Sequence, residues 1–344
     1  MGVEAFDPFS ASVMLEPFEH YRWLRENAPV YHVPDTDIWV VSRYDDADHV
    51  LRNHQIFSSA GGIGPEWDPH PMLSMYDPPE HTRLRRLIAA RFTPKFVAAF
   101  ADGLRDTTDR LLEPVLAAGG GDLVTQIAQP LAGALIADLL GIPEDRREDF
   151  RRWSTGIVAT LSARHSPDAA REAEATRVAF VSYLRELVAR RTKATAGSDI
   201  ISLLLRAHEE EVLTPKEVIA FCVLLLVAGY ETTINGLANV INVFAQSPGA
   251  WDRLKADTNL LRPAIEEALR YDSPDQAFFR NTVSNADLRA GNIPSHSKVM
   301  VLLGSANRDE SKYPDGARFE LTRNPSDHLA FGSGVHYCLG APLA

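Results

Sequence analysis

Cysteine is scarce in this chain: Cys222 and Cys338 are the only two among 344 residues. Two thiols so far apart make no disulfide framework, and a reducing compartment suits them better. Long apolar runs are missing too. The longest, Val218 to Ala228, is too short to span a bilayer. Positive charge is in deficit, with 35 Lys and Arg against 46 Asp and Glu and a net charge of -11, which argues against nucleic acid as a partner. No Pro/Gly/Ser-rich linker, low-complexity tract or internal repeat interrupts the chain. Met1 to Ser10 has neither the basic segment nor the apolar core of a secretory signal. These absences point to a cytoplasmic protein with no membrane span. What remains is an ordinary composition, 45% hydrophobic and 24% charged, with length enough for a large core. Length alone suggests about two domains. With no linker to divide them, one domain over residues 1–344 is expected.

Chemistry concentrates near the end, in His328-Leu329-Ala330-Phe331-Gly332-Ser333-Gly334-Val335-His336-Tyr337-Cys338-Leu339-Gly340. The glycines let backbone approach something flat and close. Amides near Cys338 would point at its sulfur and favour the thiolate. One thiolate with no second Cys or His at metal-pair spacing makes a poor zinc site, since zinc wants four ligands. It suits a metal whose other ligands come from a cofactor, which means haem. The competing reading is a buried structural cysteine behind a glycine-rich turn. Against it stands the spacing F-G-x-G-x-H-x-C-x-G, met at every fixed position by Phe331, Gly332, Gly334, His336, Cys338 and Gly340. This resembles the haem-binding signature of bacterial cytochromes P450. The resemblance implies that Cys338 ligates the iron of a haem b, with Phe331, Gly332 and Gly340 shaping the loop; the ligand assignment comes from the family, not from the spacing.

The rest of the chain fits that resemblance in order. Glu16 to Asn27 reads as a helix, Val30 to Val33 and Ile38 to Val41 as a hairpin, and Asp45 to Asn53 as a short helix. Ser58 to Pro79 holds Gly61, Gly62, Gly64 and five prolines. A loop this long is functional or disordered. By resemblance it covers the substrate pocket, where Trp67 and Met72 would line it; ordinary loop packing is the alternative. In Asp77-Pro78-Pro79-Glu80-His81-Thr82-Arg83-Leu84-Arg85, His81 and Arg85 share a helix face. The family uses this pair for the haem propionates, two carboxylates that need cationic donors in an apolar pocket. A solvated basic face is the bland alternative. Arg83, Arg86 and Arg91 would then form a positive patch for an acidic electron donor. Helices are expected over Asp102–Ala117, Ile127–Leu140, Glu144–Ser162 and Pro167–Lys193. In the family the last two, with their joining loop Ala163 to Ser166, form a lid.

Thr214-Pro215-Lys216-Glu217 is a capping box with proline at the first helical position. The next stop is Gln246-Ser247-Pro248, about 32 residues on. Phe221 to Val227 is apolar all round, so a buried helix is expected. Glu231, Thr232 and Thr233 then place a carboxylate and two hydroxyls in its middle, beside a helix-weakening Gly229. Ala228-Gly229-Tyr230-Glu231-Thr232-Thr233 resembles the family's oxygen-activation motif, which implies Glu231 and Thr232 as the acid-alcohol pair, with Ala228 and Gly229 leaving room for dioxygen. A kinked core helix is the alternative. Cys222 reads as core.

Glu267-Ala268-Leu269-Arg270 matches the family's E-x-x-R, a buried structural ion network whose third member is assigned to Arg318. Arg280 matches the propionate-binding arginine, and Ala277, Phe278 and Phe279 would face the substrate. His296 stands at a turn where the family usually has glycine. The resemblance spans essentially all 344 residues. The family continues past the cysteine with a further helix and hairpin, whereas six residues follow Cys338 here. The expected fold is therefore mainly α with small β-sheets, a P450 fold lacking its C-terminal part.

The implied function is monooxygenation: one atom of dioxygen enters a small organic substrate. Electrons would come from NAD(P)H through ferredoxin reductase and ferredoxin, since no flavin or nicotinamide domain is evident in this length, and the protein would act as a monomer. Two other readings stay open, a peroxide-using enzyme of the same fold and a haem-binding or inert remnant.

Overall fold

A computed structural model of the protein describes residues 6–65, 72–89, 92–162, 167–191, 199–211 and 213–344. Trp67, Arg91 and the loop Ala163 to Ser166 lie outside the described residues. The chain forms two compact units. One comprises Met1–His70, Ser74–Thr82 and Asn239–Cys338; the other comprises Pro71–Leu73, Arg83–Ala238 and Leu339–Ala344.

The first unit holds the sheets. β1 (Val30–His32) and β2 (Ile38–Val41) form the expected antiparallel hairpin, with Val30 opposite Val41. The five-stranded sheet runs β1-β2-β7-β4-β3, where β3 is Phe57–Ser58, β4 Ala277–Thr282 and β7 Lys298–Leu302. β5 (Ala286–Leu288) and β6 (Gly291–Ile293) make a separate pair. Alternation along the strands sends side chains to two cores. Val41, Val299 and Val301 join Val50, Leu51 and Phe57 on one side. Val40, Phe279 and Leu302 join Phe6, Tyr21 and Leu24 on the other. The substrate-facing assignment of Ala277, Phe278 and Phe279 therefore does not hold for all three together. Three consecutive strand residues cannot share a face. Phe279 is buried in the second core, Ala277 packs against it, and Phe278 packs against the first. His296 takes the left-handed conformation, φ 61, that a glycine would occupy. The turn still closes, because the His296 amide donates to the Thr282 carbonyl at 2.8 Å.

Helix Leu261–Tyr271 places Glu267 and Arg270 at 0% exposure, joined by two hydrogen bonds of 2.6 and 2.8 Å. The Arg270 guanidinium also donates to the carbonyls of Asn307, Gly316 and Arg318. Glu267 accepts from the Glu320 amide and from Arg323 Nε, each at 3.0 Å. The third charged member is thus Arg323 and not Arg318. A turn closed by the Arg318 amide on the Asp315 carbonyl leaves the Arg318 side chain 74% exposed, against 16% for Arg323.

The second unit is helical. Its core joins helix Gln129–Leu140 with Arg147–Ser162, Pro167–Arg190 and Ile200–Glu211, the last without a counterpart in the sequence reading. Phe150, Trp153 and Phe180 stack where two of them meet. The long helix Pro215–Gln246 has 32 residues and starts at the expected capping box: the Thr214 amide donates to Glu217 Oε2 at 2.5 Å and the Glu217 amide to Thr214 Oγ1 at 3.2 Å. Arg83 also pairs with Glu217, which removes it from the proposed positive patch. By length and hydropathy this helix could cross a membrane, a test that core helices of soluble proteins also pass. It is not buried all round as expected: Phe221, Cys222, Leu226 and Tyr230 are buried, whereas Val223 to Leu225 are half-buried and Ala228 is exposed.

Replacing Arg323 by Ala should cost about 1.5–3 kcal/mol, the range for a hydrogen bond to a charged group. Replacing Arg318 by Ala should cost about 0.5 kcal/mol or less, as an exposed side chain does. Denaturant midpoints decide. Equal losses would return the network to Arg318.

Candidate active site

In the first unit the cysteine loop starts from two side-chain anchors. His328 caps the turn Leu329–Phe331, its Nδ1 accepting from the Ala330 amide at 3.2 Å, while its Nε2 meets Glu266 Oε2 at 3.0 Å. That contact holds the Glu266 carboxyl below its ordinary range, against burial. Asn307 Oδ1 accepts from the Leu329 amide at 2.6 Å, and Asn307 Nδ2 donates to Ser273 Oγ at 2.9 Å. Neither anchor is visible in a motif; only the fold brings Asn307 and Glu266 to the loop. Gly332 and Gly334 then take φ 69 and φ 70, a region closed to most side chains.

The Cys338 amide donates to the Phe331 carbonyl at 2.8 Å and closes the loop. That amide is therefore spent within the loop. Cys338 itself is half-buried. Cys222 is fully buried, and burial pushes its thiol up to about 12. Of the two thiols, Cys338 is the one a ligand can reach.

The cationic candidates are placed as follows. His81, buried, lies ring to ring with His336, centroids 4.3 Å apart. Arg85 follows His81 by four residues on helix Glu80–Ala89 and is half-buried. Arg280 is 4% exposed on β4 and donates from Nη1 to the Phe279 carbonyl at 2.8 Å. Among the described residues it forms no ion pair. Burial lowers its pKa to about 10, partly offset by the charge of Asp77. A buried guanidinium with four unspent N–H donors fits a carboxylate-bearing group such as a haem propionate. Gly340 opens the final turn, its carbonyl accepting from the amides of Leu343 and Ala344. Met72 is half-buried beside the turn Leu73–Met75.

In the second unit the long helix presents the remaining candidates. The space left by Gly229 is filled by Ile136, whose Cδ1 would stand 2.6 Å from an added Cβ. Gly133 faces the Tyr230 ring in the same contact. On its Cβ side Gly229 therefore serves helix packing, while Ala228 is the exposed position. Thr232 Oγ1 donates to the Ala228 carbonyl at 2.6 Å, leaving its oxygen lone pairs free to accept. Glu231 is half-buried and, among the described residues, makes no hydrogen bond or ion pair. Burial raises its carboxyl pKa.

That shift has a sign. The folded state holds the Glu231 proton more tightly than the unfolded chain does. The stabilisation is complete below the ordinary value of 4.5 and is lost as pH rises through the raised one. Glu231→Gln, with no proton to lose, should therefore gain stability over the wild type at pH 8 and little at pH 5. Denaturant midpoints at the two pH values test this, and a variant less stable at pH 8 would mean that the carboxylate is held by a partner.

Residues 14–344 match the family described as Cytochrome P450. The chain is 38% identical over 339 residues to Cytochrome P450 109 of Bacillus spizizenii, covering 96% of this chain and 81% of that one. It is 36% identical over 343 residues to Cytochrome P450 monooxygenase PikC of Streptomyces venezuelae, covering 96% and 80%. Among solved structures it resembles CYP109E1 from Bacillus megaterium in complex with testosterone, with a TM-score of 0.86, 34% identity, and coverage of 95% and 86%. The chain belongs to the cytochrome P450 family and is a haem-thiolate monooxygenase.

Proposed function

We propose that Cys338 is the proximal iron ligand of a haem b, that His81, Arg85, Arg280 and His336 hold its propionates, and that Glu231 and Thr232 move the protons. The observation that carries this is the reachable thiol of Cys338 on a loop whose His336 adjoins the buried His81. Thiolate-ligated haem supplies the reductive activation of dioxygen and the transfer of one of its atoms to a substrate.

The chain's own residues do the rest. The loop turns at Gly332 and Gly334 keep Cys338 accessible. Arg280 offers a carboxylate a buried positive charge that forms no ion pair among the described residues, with Asp77 acting on it only through its charge. Thr232, with its hydrogen committed to the Ala228 carbonyl, accepts a hydrogen bond from water and so orients it. Glu231, shifted toward its protonated form, resupplies the proton. Electrons come from NAD(P)H through ferredoxin reductase and ferredoxin, as the resemblance implies. We further propose a soluble, monomeric, cytoplasmic protein whose two units act as one domain; the continuous family match over residues 14–344 and a thiol that must stay reduced support this.

Arg280→Ala should weaken haem retention by about 10- to 100-fold, the worth of a charged hydrogen bond. Arg83→Ala should not, because Arg83 is spent on Glu217. Haem transfer to a scavenger protein measures both, and equal retention would remove Arg280 from the site.

Thr232→Ala should still consume reducing equivalents but divert them to hydrogen peroxide. Proton-transfer groups are worth about 100- to 10,000-fold in rate, so even partial loss is measurable. Thr233→Ala should divert far less, since Thr233 lies about 100° further round the helix. Product and peroxide are counted per electron pair. Unchanged coupling in Thr232→Ala would favour the peroxide-using reading instead.

A further inference from the structure

We propose that Asp48 and Ser333 are positioning residues for the thiolate: their hydrogen bond fixes the cysteine loop on helix Tyr44–Arg52 and so fixes where Cys338 stands. The proposal rests on the reading of Cys338 as iron ligand. Ser333 is buried between Gly332 and Gly334, at the position that caps the turn Gly334–His336. Serine is a favoured cap, yet its hydroxyl makes no capping bond there. It donates instead to Asp48 Oδ1 at 2.6 Å, the length of a charge-assisted O–H···O bond.

The same contact is tight in the backbone. A Cβ on Gly334 would lie 2.7 Å from the Leu51 carbonyl oxygen and 2.8 Å from Arg52 Cα, atoms that cannot yield. The loop is thus pressed on the last turn of the helix, and Ser333 supplies the polar tie across it. Both oxygens of Asp48 also receive Arg52 Nε at 2.8 Å, but Arg52 is exposed and such a pair adds little to the helix. Two glycines at positive φ leave this segment free to pivot. The Ser333–Asp48 bond removes that freedom. The Tyr337 amide on the Gly334 carbonyl and the Cys338 amide on the Phe331 carbonyl then carry the fixed position to the sulfur.

The test uses the haem-loaded full chain with Ser333→Ala, Asp48→Ala, their double variant, Ser333→Thr and Asp48→Asn. The first readout is the share of the ferrous carbon-monoxide complex in the thiolate rather than the neutral-thiol form. The second is alkylation of Cys338 by iodoacetamide, with buried Cys222 as internal control. Each alanine variant should raise Cys338 alkylation by about 5- to 30-fold and lower the thiolate share. The double variant should go no further than either single. Ser333→Thr, which keeps the hydroxyl, should restore wild-type behaviour. Wild-type spectra and alkylation in both alanine variants, or additive effects in the double, would overturn the proposal. Should an alanine variant label Cys222 and so have lost its fold, Asp48→Asn decides: an intermediate rise in Cys338 labelling supports the tie, and wild-type labelling overturns it. A wild-type chain without the thiolate form would instead overturn the ligand reading.

Discussion

Glu267 and Arg270 carry opposite charges where water does not reach them. Taking each ion out of water costs several kcal/mol, and attraction offsets that only when the remaining donors and acceptors are also met. Here they are. Arg270 reaches both carboxylate oxygens and three backbone carbonyls, and Glu267 takes an amide and a second guanidinium. A half-satisfied network would be worse than an apolar core, so residues 307–323 have to wrap this pair. Asn307 extends the constraint. Its carbonyl is spent on Arg270, and its side chain holds Ser273 and the Leu329 amide. The cysteine loop therefore departs from a point that the ion pair sets.

Beyond that point the loop is shaped by backbone. The turns Leu329–Phe331 and Gly334–His336 are joined through two glycines at positive φ, and the amide of Cys338 returns to the carbonyl of Phe331. These backbone bonds are local, and the thiol of Cys338 remains half-exposed. Cys222 shows the contrast. Inside an apolar helix its thiol is held neutral by burial, which suits packing and not ligation.

Much of this was legible before any coordinates. The loop spacing, the capping box at Thr214 and Glu217, the 32-residue helix and the β1–β2 hairpin depend on local chemistry that a sequence displays. What was not legible depends on which way a side chain turns. Arg318 and Arg323 sit in one segment, and only the turn at Asp315 sends the first outward and the second to Glu267. Ala277, Phe278 and Phe279 looked like one pocket wall, but the strand alternates them between two cores. Gly229 suggested open space, and on its Cβ side a neighbouring helix supplies Ile136. Asn307, Glu266 and Asp48 carry no motif, because their importance comes from partners far away in the chain.

Buried charge by itself does not separate structure from function here; satisfaction does. Glu267 and Arg270 have every strong partner they need, and removing one leaves a stranded ion. Arg280 is nearly as deeply placed but, among the described residues, bonds one carbonyl and forms no ion pair, and burial lowers its pKa against the charge of Asp77. Glu231 has no partner among the described residues, and its pKa is raised. Each is destabilised in the ionisation state it would hold in water. A folded chain keeps such groups against their cost when another task requires them. The two shifts also run in the directions that the chemistry asks for. In the proposed site, a cation without an ion pair suits a carboxylate, and a carboxyl biased toward its acid form suits a proton donor.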